Sequence, residues 1–230
     1  MPTTNWWISC AWTGRTIGVS PQRGGPDGFH RPLRRHEPGG LTRAAMGLPG
    51  DRRRQRRLLL VTHEHLDHNA VEVIGGDPTI LRSSAGTHEA PGGEVIGIAS
   101  EHDEVAGTQR GANTIFVFCF DGIRVAHFGD FGQSALRPQQ REAIENVDLL
   151  FVPVGGGPTI GPDGACEIVH ELSPRWVVPM HYRTPRIGFL DPADKFLARY
   201  DDVEQFAEPS FDTEDLRSAD GPLIVVPAAP

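Results

Sequence analysis

Short apolar runs separated by polar, glycine-containing breaks begin at Leu58 and recur through the rest of the chain. Runs of this length fit strands buried in a sheet. They predict strands over residues 58–61, 79–81, 94–99, 113–120, 123–127, 149–154, 176–179 and 223–226. Asp121-Gly122, between two of these runs, is a two-residue turn signal for a β-hairpin. Helices are predicted over 138–146, 164–172 and 192–200, the first with Pro138 suited to an opening turn. A helical turn is predicted over 70–74. Strands grouped first, then strands alternating with helices, indicate a two-layered β core with helices outside it. Cys119, inside the apolar run 113–120, is expected to be buried.

Residues 1–57 lack this patterning. They carry 11 arginines and three acidic residues, and are rich in glycine and proline. The remaining 173 residues are acidic, so the overall net charge is −8. The run R-R-R-Q-R-R at 52–57 has no interleaved aromatics and precedes an acidic body. It reads as a solvated basic segment and not as a nucleic-acid site. The chain therefore divides into an atypical segment, 1–57, and a domain, 58–230. The domain is long enough for a large core. No apolar run reaches the length of a membrane span, and no export signal is legible, so the expected location is the cytoplasm. Cys10, Cys119 and Cys166 have no paired spacing, which argues against a disulfide framework or a cysteine zinc site.

The chemistry is concentrated at L-L-L-V-T-H-E-H-L-D-H-N, residues 58–69. His63, His65, Asp67 and His68 are four potential metal ligands in six residues, just beyond an apolar run. Burying such a set without metal would leave polar groups unpaired. Imidazole and carboxylate donors suit zinc, and also manganese or iron. Further along stand His102 in I-A-S-E-H-D, Asp130 in V-A-H-F-G-D and His181 in V-V-P-M-H-Y. His127, three residues before Asp130, has an ambiguous direction and reads as a neighbour of the site or as core. His88 reads as exposed and His170 as structural.

His63-x-His65-x-Asp67-His68, with the three later residues in this order, resembles the signature of the metallo-β-lactamase superfamily. The segments R-G-A-N-T (110–114), V-D-L-L-F-V-P-V-G-G (147–156) and P-M-H-Y (179–182) resemble its branch of small lactonase-like metal-dependent hydrolases. That branch includes the L-ascorbate-6-phosphate lactonase type. The resemblance covers about residues 58–200 and implies an αββα sandwich with the site on loops at one sheet edge. It implies one metal held by His63, His65 and His102, and a second held by Asp67, His68 and His181. Asp130 would bridge the two. Asp67 and Asp130 are then the catalytic carboxylates, and the cofactors are two divalent ions, with zinc favoured over manganese or iron.

The resemblance also implies opening strands with a Gly-His pair and an Asp-Pro turn, neither of which occurs in 1–57. The expectation is that part of this segment is disordered, degenerate or translated from a wrong frame. Translating the other two frames of the DNA tests that. The leading functional expectation is hydrolysis of a small ester, lactone or phosphoester by a water that two metals activate, with a small-molecule substrate as the partner. The alternatives are a phosphodiesterase or ribonuclease, and an inactive or non-catalytic metal-binding protein with a defective opening segment. Arg110, Arg183 and Arg186 are candidate contacts for an anionic substrate group.

Overall fold

The computed structural model describes residues 16–18, 58–65, 68–69, 71–73, 77–185 and 187–228. In chain order the elements are β1 (Thr16–Gly18), β2 (Leu58–Val61), β3 (Thr79–Arg82), β4 (Gly86–Ala90), β5 (Gly93–Glu101), β6 (Ala112–Phe120), β7 (Ile123–His127), α1 (Pro138–Ile144), β8 (Leu149–Pro153), α2 (Pro162–Leu172), β9 (Trp176–Met180), α3 (Asp194–Leu197), β10 (Val203–Gln205), β11 (Ser210–Asp212) and β12 (Leu223–Val226). A 3-10 turn spans Val71–Val73. Eight strands form one mixed sheet in the order β10-β12-β9-β8-β7-β6-β5-β4. β4 to β7 make an antiparallel meander, and β7, β8, β9, β12 and β10 run parallel. Two smaller pairs, β1 with β11 and β2 with β3, complete the described strands.

Both faces of the large sheet are covered, so its central strands read as continuous apolar runs. All five residues of β8 are buried. Leu150 and Val152 face the helices and pack with Ile144, Ile168, Val169 and Phe196. Leu149 and Phe151 face the other way and pack with Val125, Val178, Leu223 and Phe211 of β11. Each such large side chain contributes about 1.5–3 kcal/mol when fully removed from water. A mixed sheet, helices on one face and smaller sheets elsewhere fit the αββα sandwich.

The hairpin at Asp121-Gly122 forms as its dipeptide predicts, with both residues at positive φ. Other boundaries move. α1 stops at Ile144 because Glu145 leaves the helical region, at ψ 151°, and Asn146 turns to φ +59°. The helix predicted over 192–200 contracts to the single turn of α3. β4, β10 and β11 were not legible, being short strands with few buried positions. Cys119 is exposed, not buried. It shares the face of Val117 by alternation, but it stands beside the hairpin at the end of the strand, beyond the packed core. His88 is half-buried, its Nε2 3.2 Å from the carbonyl oxygen of Ser84, and His170 is exposed on α2. Of residues 1–57 only Thr16–Gly18 are described, and the expectations placed on the rest of that segment lie outside the described residues.

Candidate metal centre

The site is assembled from loops at one end of the sheet, where strands end and the backbone can turn side chains toward a common point. His63 and His65 follow β2. The Thr114 amide donates to the Thr62 carbonyl at 2.8 Å, tying this segment to β6. His102 follows β5, Asp130 stands three residues beyond β7, and His181 follows β9. His63, His102 and Asp130 are buried, His68 and His181 half-buried, and His65 exposed. Asp67 lies outside the described residues.

Asp130 is the centre of this group. Its Oδ2 lies 3.1 Å from Nε2 of His102, 3.4 Å from that of His181, 3.5 Å from that of His68 and 3.7 Å from that of His63. In each of two sets, His63–His65–His102 and His63–His68–Asp130, one donor atom per residue falls within 4.8 Å of the others. The ring centroids of His63 and His68 are 4.2 Å apart, and those of His63 and His65 4.7 Å apart. Six of the seven residues singled out in the sequence are thus brought together.

The Nδ1 atoms explain why Nε2 faces inward. His102 Nδ1 donates to the Pro158 carbonyl at 2.9 Å. His181 Nδ1 lies 3.3 Å from Thr159 Oγ1, and His63 Nδ1 lies 3.0 Å from Thr62 Oγ1. A proton held on Nδ1 leaves the Nε2 lone pair free for a metal. Several such lone pairs aimed at a carboxylate repel one another unless a cation or a proton lies among them. Nε2 of His63 is buried without a hydrogen-bond partner. This donor set fits a divalent metal of the zinc type. His127 is arranged the other way. Its Nδ1 accepts from the Gly129 amide at 3.1 Å, so its proton sits on Nε2, which is buried and unpartnered. His127 stacks on Phe151 and is not placed to ligate through Nδ1.

Electrostatics follow from burial. Burial drives the His63 imidazole down to about 3, helped by neighbouring His68, so it stays neutral and ready to ligate. Burial likewise lowers His127 to about 4. For His102 burial pulls downward, but the hydrogen bond and charge of Asp130 outweigh it and the net shift is upward. Burial alone would raise Asp130; the imidazoles of His68, His102, His181 and His63 hold it well below the usual carboxylate range.

Supporting residues that pattern reading missed come from neighbouring segments. Asn113 Oδ1 accepts from the Asp130 amide at 3.1 Å, while its Nδ2 donates to Ser100 Oγ and the Phe128 carbonyl. Gly129 stands between at φ +57°. A Cβ at Gly155 would lie 2.2 Å from the His181 carbonyl oxygen, so glycine is required for the 155–160 loop to sit against that ligand. Asn113 lies inside R-G-A-N-T, a legible segment, but nothing in the sequence reveals its partners. Arg183 donates Nε to the Leu190 carbonyl at 2.7 Å, which commits it to its own loop. Arg186 lies outside the described residues, and Arg110 is exposed.

Asp103, next to His102, is buried. Its Oδ1 accepts from the amides of Val105 and Gly107, and its Oδ2 from those of Gln109 and Arg110. Burial would raise its pKa, but these four donors outweigh it and the carboxyl is held below the ordinary range. A group whose folded pKa is depressed stabilises the fold above its unfolded pKa and loses that effect as pH falls through the folded value. Asp103→Asn is therefore expected to lower the melting temperature by several degrees at pH 7. The gap should narrow below about pH 4. A gap that stays constant with pH, in paired melts at pH 7 and pH 3, would show that the charge is not what closes the loop.

Comparison with known proteins agrees with this geometry. A family model described as the beta-lactamase superfamily domain matches residues 6–181. A UPF0173 metal-dependent hydrolase of Thermococcus onnurineus is 30% identical over 150 residues, covering 55% of this chain and 67% of the relative. Another, of Pyrobaculum neutrophilum, is 32% identical over 173 residues, covering 64% and 74%. A Thermotoga maritima crystal structure, assigned to the Zn-dependent hydrolases of the metallo-beta-lactamase superfamily, superposes with a TM-score of 0.62. It is 30% identical and covers 74% of this chain and 80% of its own. The chain belongs to the beta-lactamase superfamily domain family, in the metallo-β-lactamase superfamily. Within it the chain is a metal-dependent hydrolase.

Proposed function

We propose that the chain holds two divalent metal ions and hydrolyses a small ester, lactone or phosphoester. His63, His65 and His102 hold one ion; His68 and His181, with Asp67, hold the other; Asp130 is shared. The observation that carries this reading is the Asp130 carboxylate oxygen within 3.1–3.7 Å of four imidazole Nε2 atoms. Zinc is favoured by the nitrogen-rich donor set, and the Thermotoga maritima relative is described as a Zn-dependent hydrolase. When bound, such ions supply a low-pKa water nucleophile and a Lewis acid for the substrate carbonyl or phosphoryl oxygen.

The protein's own contribution is preorganisation. Pro158, Thr159 and Thr62 fix the imidazole orientations, and Asn113 fixes the backbone that carries Asp130. His63 stays neutral across the working pH range, so no proton competes there for the nitrogen lone pair. His65, exposed among these ligands, lies at the solvent side of the cluster, where a small substrate can arrive. Among the described residues no helix is long and apolar enough to cross a membrane. The lactonase-like segments around Asn113 and His181 favour a cyclic ester as the first substrate class to screen.

Metal content tests the reading. Elemental analysis of the folded chain after gel filtration should give about two ions per chain. A chelator should remove them together with hydrolysis of lactone or phosphodiester probes, and added zinc or manganese should restore both. A folded chain that takes up no metal after such reconstitution would overturn the reading.

A further inference from the structure

Gln133 and Gln140 are buried side chains that the metal chemistry does not use. They meet as a reciprocal amide pair. Gln133 Nε2 donates to Gln140 Oε1 at 3.1 Å, and Gln140 Nε2 donates to Gln133 Oε1 at 2.9 Å. Each amide also makes two bonds outside the pair. Gln140 Nε2 donates to the Ala99 carbonyl at 2.7 Å, and its Oε1 accepts from the Arg137 amide at 2.8 Å. Gln133 Nε2 donates to the Ala135 carbonyl at 3.1 Å, and its Oε1 accepts from the Glu101 amide at 3.2 Å. Both donor hydrogens and both acceptor sites of each amide are thus used. Turning either amide over would set donor against donor and acceptor against acceptor. The backbone closes the same joint. The Gly132 amide donates to the Glu101 carbonyl at 2.9 Å, and a Cβ at Gly132 would lie 2.5 Å from the carbonyl carbon of His102. The end of β5, which leads into His102, is therefore locked to the segment that follows Asp130, and α1 supplies one of the two glutamines.

We infer that Gln133 and Gln140 are positioning residues that fix the spacing between His102 and Asp130, which approach to 3.1 Å at the centre. This rests on the reading above that both are metal ligands. Gln133 follows Asp130 by three residues, and Ala99 and Glu101 precede His102 by three and one. Other contacts act on the ligands themselves. Pro158 orients the His102 ring, and Asn113 holds the Asp130 amide and bonds Ser100. The glutamine pair instead ties together the two segments that carry the ligands. Because the Pro158 and Asn113 contacts persist without it, its loss should weaken metal binding and not abolish it. A fully satisfied buried network specifies one arrangement. A half-satisfied one leaves polar groups unpaired and favours any shift that rehydrates them. Loss of the partners that orient ligands commonly changes metal affinity by about 10–100-fold.

The test is a cobalt(II) titration of the metal-free full-length chain, read by ligand-field absorption well below the melting temperature. It compares the unaltered chain with Gln133→Met, Gln140→Met, Gln133→Asn, Leu223→Ala and His102→Ala. Methionine keeps the length of glutamine and removes its hydrogen bonds. Leu223 is buried in the cluster on the sheet face opposite the helices, so its truncation lowers stability without touching the joint. Both methionine variants should weaken cobalt binding by about tenfold and alter the absorption bands. Leu223→Ala should melt several degrees below the unaltered chain, yet bind within about threefold of it with unchanged bands. Gln133→Asn, one methylene shorter, should weaken binding by at least about threefold, and it decides the matter if the methionine variants do not fold. Glutamine variants with unaltered affinity and bands, while His102→Ala loses metal, would overturn this inference alone. So would a loss of affinity in Leu223→Ala equal to theirs. His102→Ala binding as tightly as the unaltered chain, or no binding by that chain, would overturn the ligand reading and this inference with it.

Discussion

Asp130→Asn is expected to abolish hydrolysis and metal retention while leaving the metal-free fold intact. The carboxylate oxygen touches four imidazoles, and asparagine keeps its size while removing the charge that two cations would share. Transition-state stabilisation by bound metal amounts to several kcal/mol. At 1.36 kcal/mol per decade, its loss corresponds to a fall in kcat/KM of about 10³-fold or more. Metal content should drop below about one ion per chain. The effect on the metal-free fold has the same sign and is smaller. The imidazoles hold the Asp130 carboxyl below the usual carboxylate range, so its charge contributes stability at neutral pH. The metal-free variant should therefore still fold but melt a few degrees below the unaltered metal-free chain at pH 7. Activity assays, elemental analysis and paired melts with and without zinc decide this. Retention of two ions and most of the activity would remove Asp130 from the centre.

Gly129→Ala is expected to strike both fold and site. The residue has φ +57°, where a Cβ meets steric opposition. A Cβ built there lies 2.5 Å from Asn113 Oδ1, 2.7 Å from Thr62 Cβ and 2.9 Å from Thr62 Oγ1. The backbone conformation costs about 1–2 kcal/mol, and overpacking a tight interior a further 1–3 kcal/mol or so. The sum, about 2–5 kcal/mol, corresponds to a fall in melting temperature of roughly 5–15 °C for a domain of this size. The atoms displaced are those that hold the Asp130 amide and the Thr62 hydroxyl beside His63, so metal affinity should fall as well. A melting temperature unchanged within about 2 °C, with full metal content, would show that the Asp130 turn is not packed in this way.

The legibility of this protein was uneven for physical reasons. Strands β6 to β9 could be read because both sheet faces are covered and their runs are apolar throughout. β4 and β10 could not, because edge strands bury little and their residues carry no periodic signal. Cys119 was misplaced because an apolar run says nothing about where cover ends. Asp103 looked like one acid in an acidic loop, whereas four backbone amides converge on it only once the loop has closed.

What the chain made legible on its own was a cluster of candidate donors at 63–68, three imidazoles and the Asp67 carboxylate, because residue type and spacing need no knowledge of which loops meet. His102, Asp130 and His181 joined them as candidates only through the resemblance to the metallo-β-lactamase superfamily and the order of its motifs. Only the tertiary structure decided which nitrogen of each ring faces Asp130. The Nδ1 partners of His102 and His181, Pro158 and Thr159, lie 56 and 22 residues away along the chain. A ring's orientation is set by whatever holds its second nitrogen, and that partner arrives by folding, not by sequence proximity.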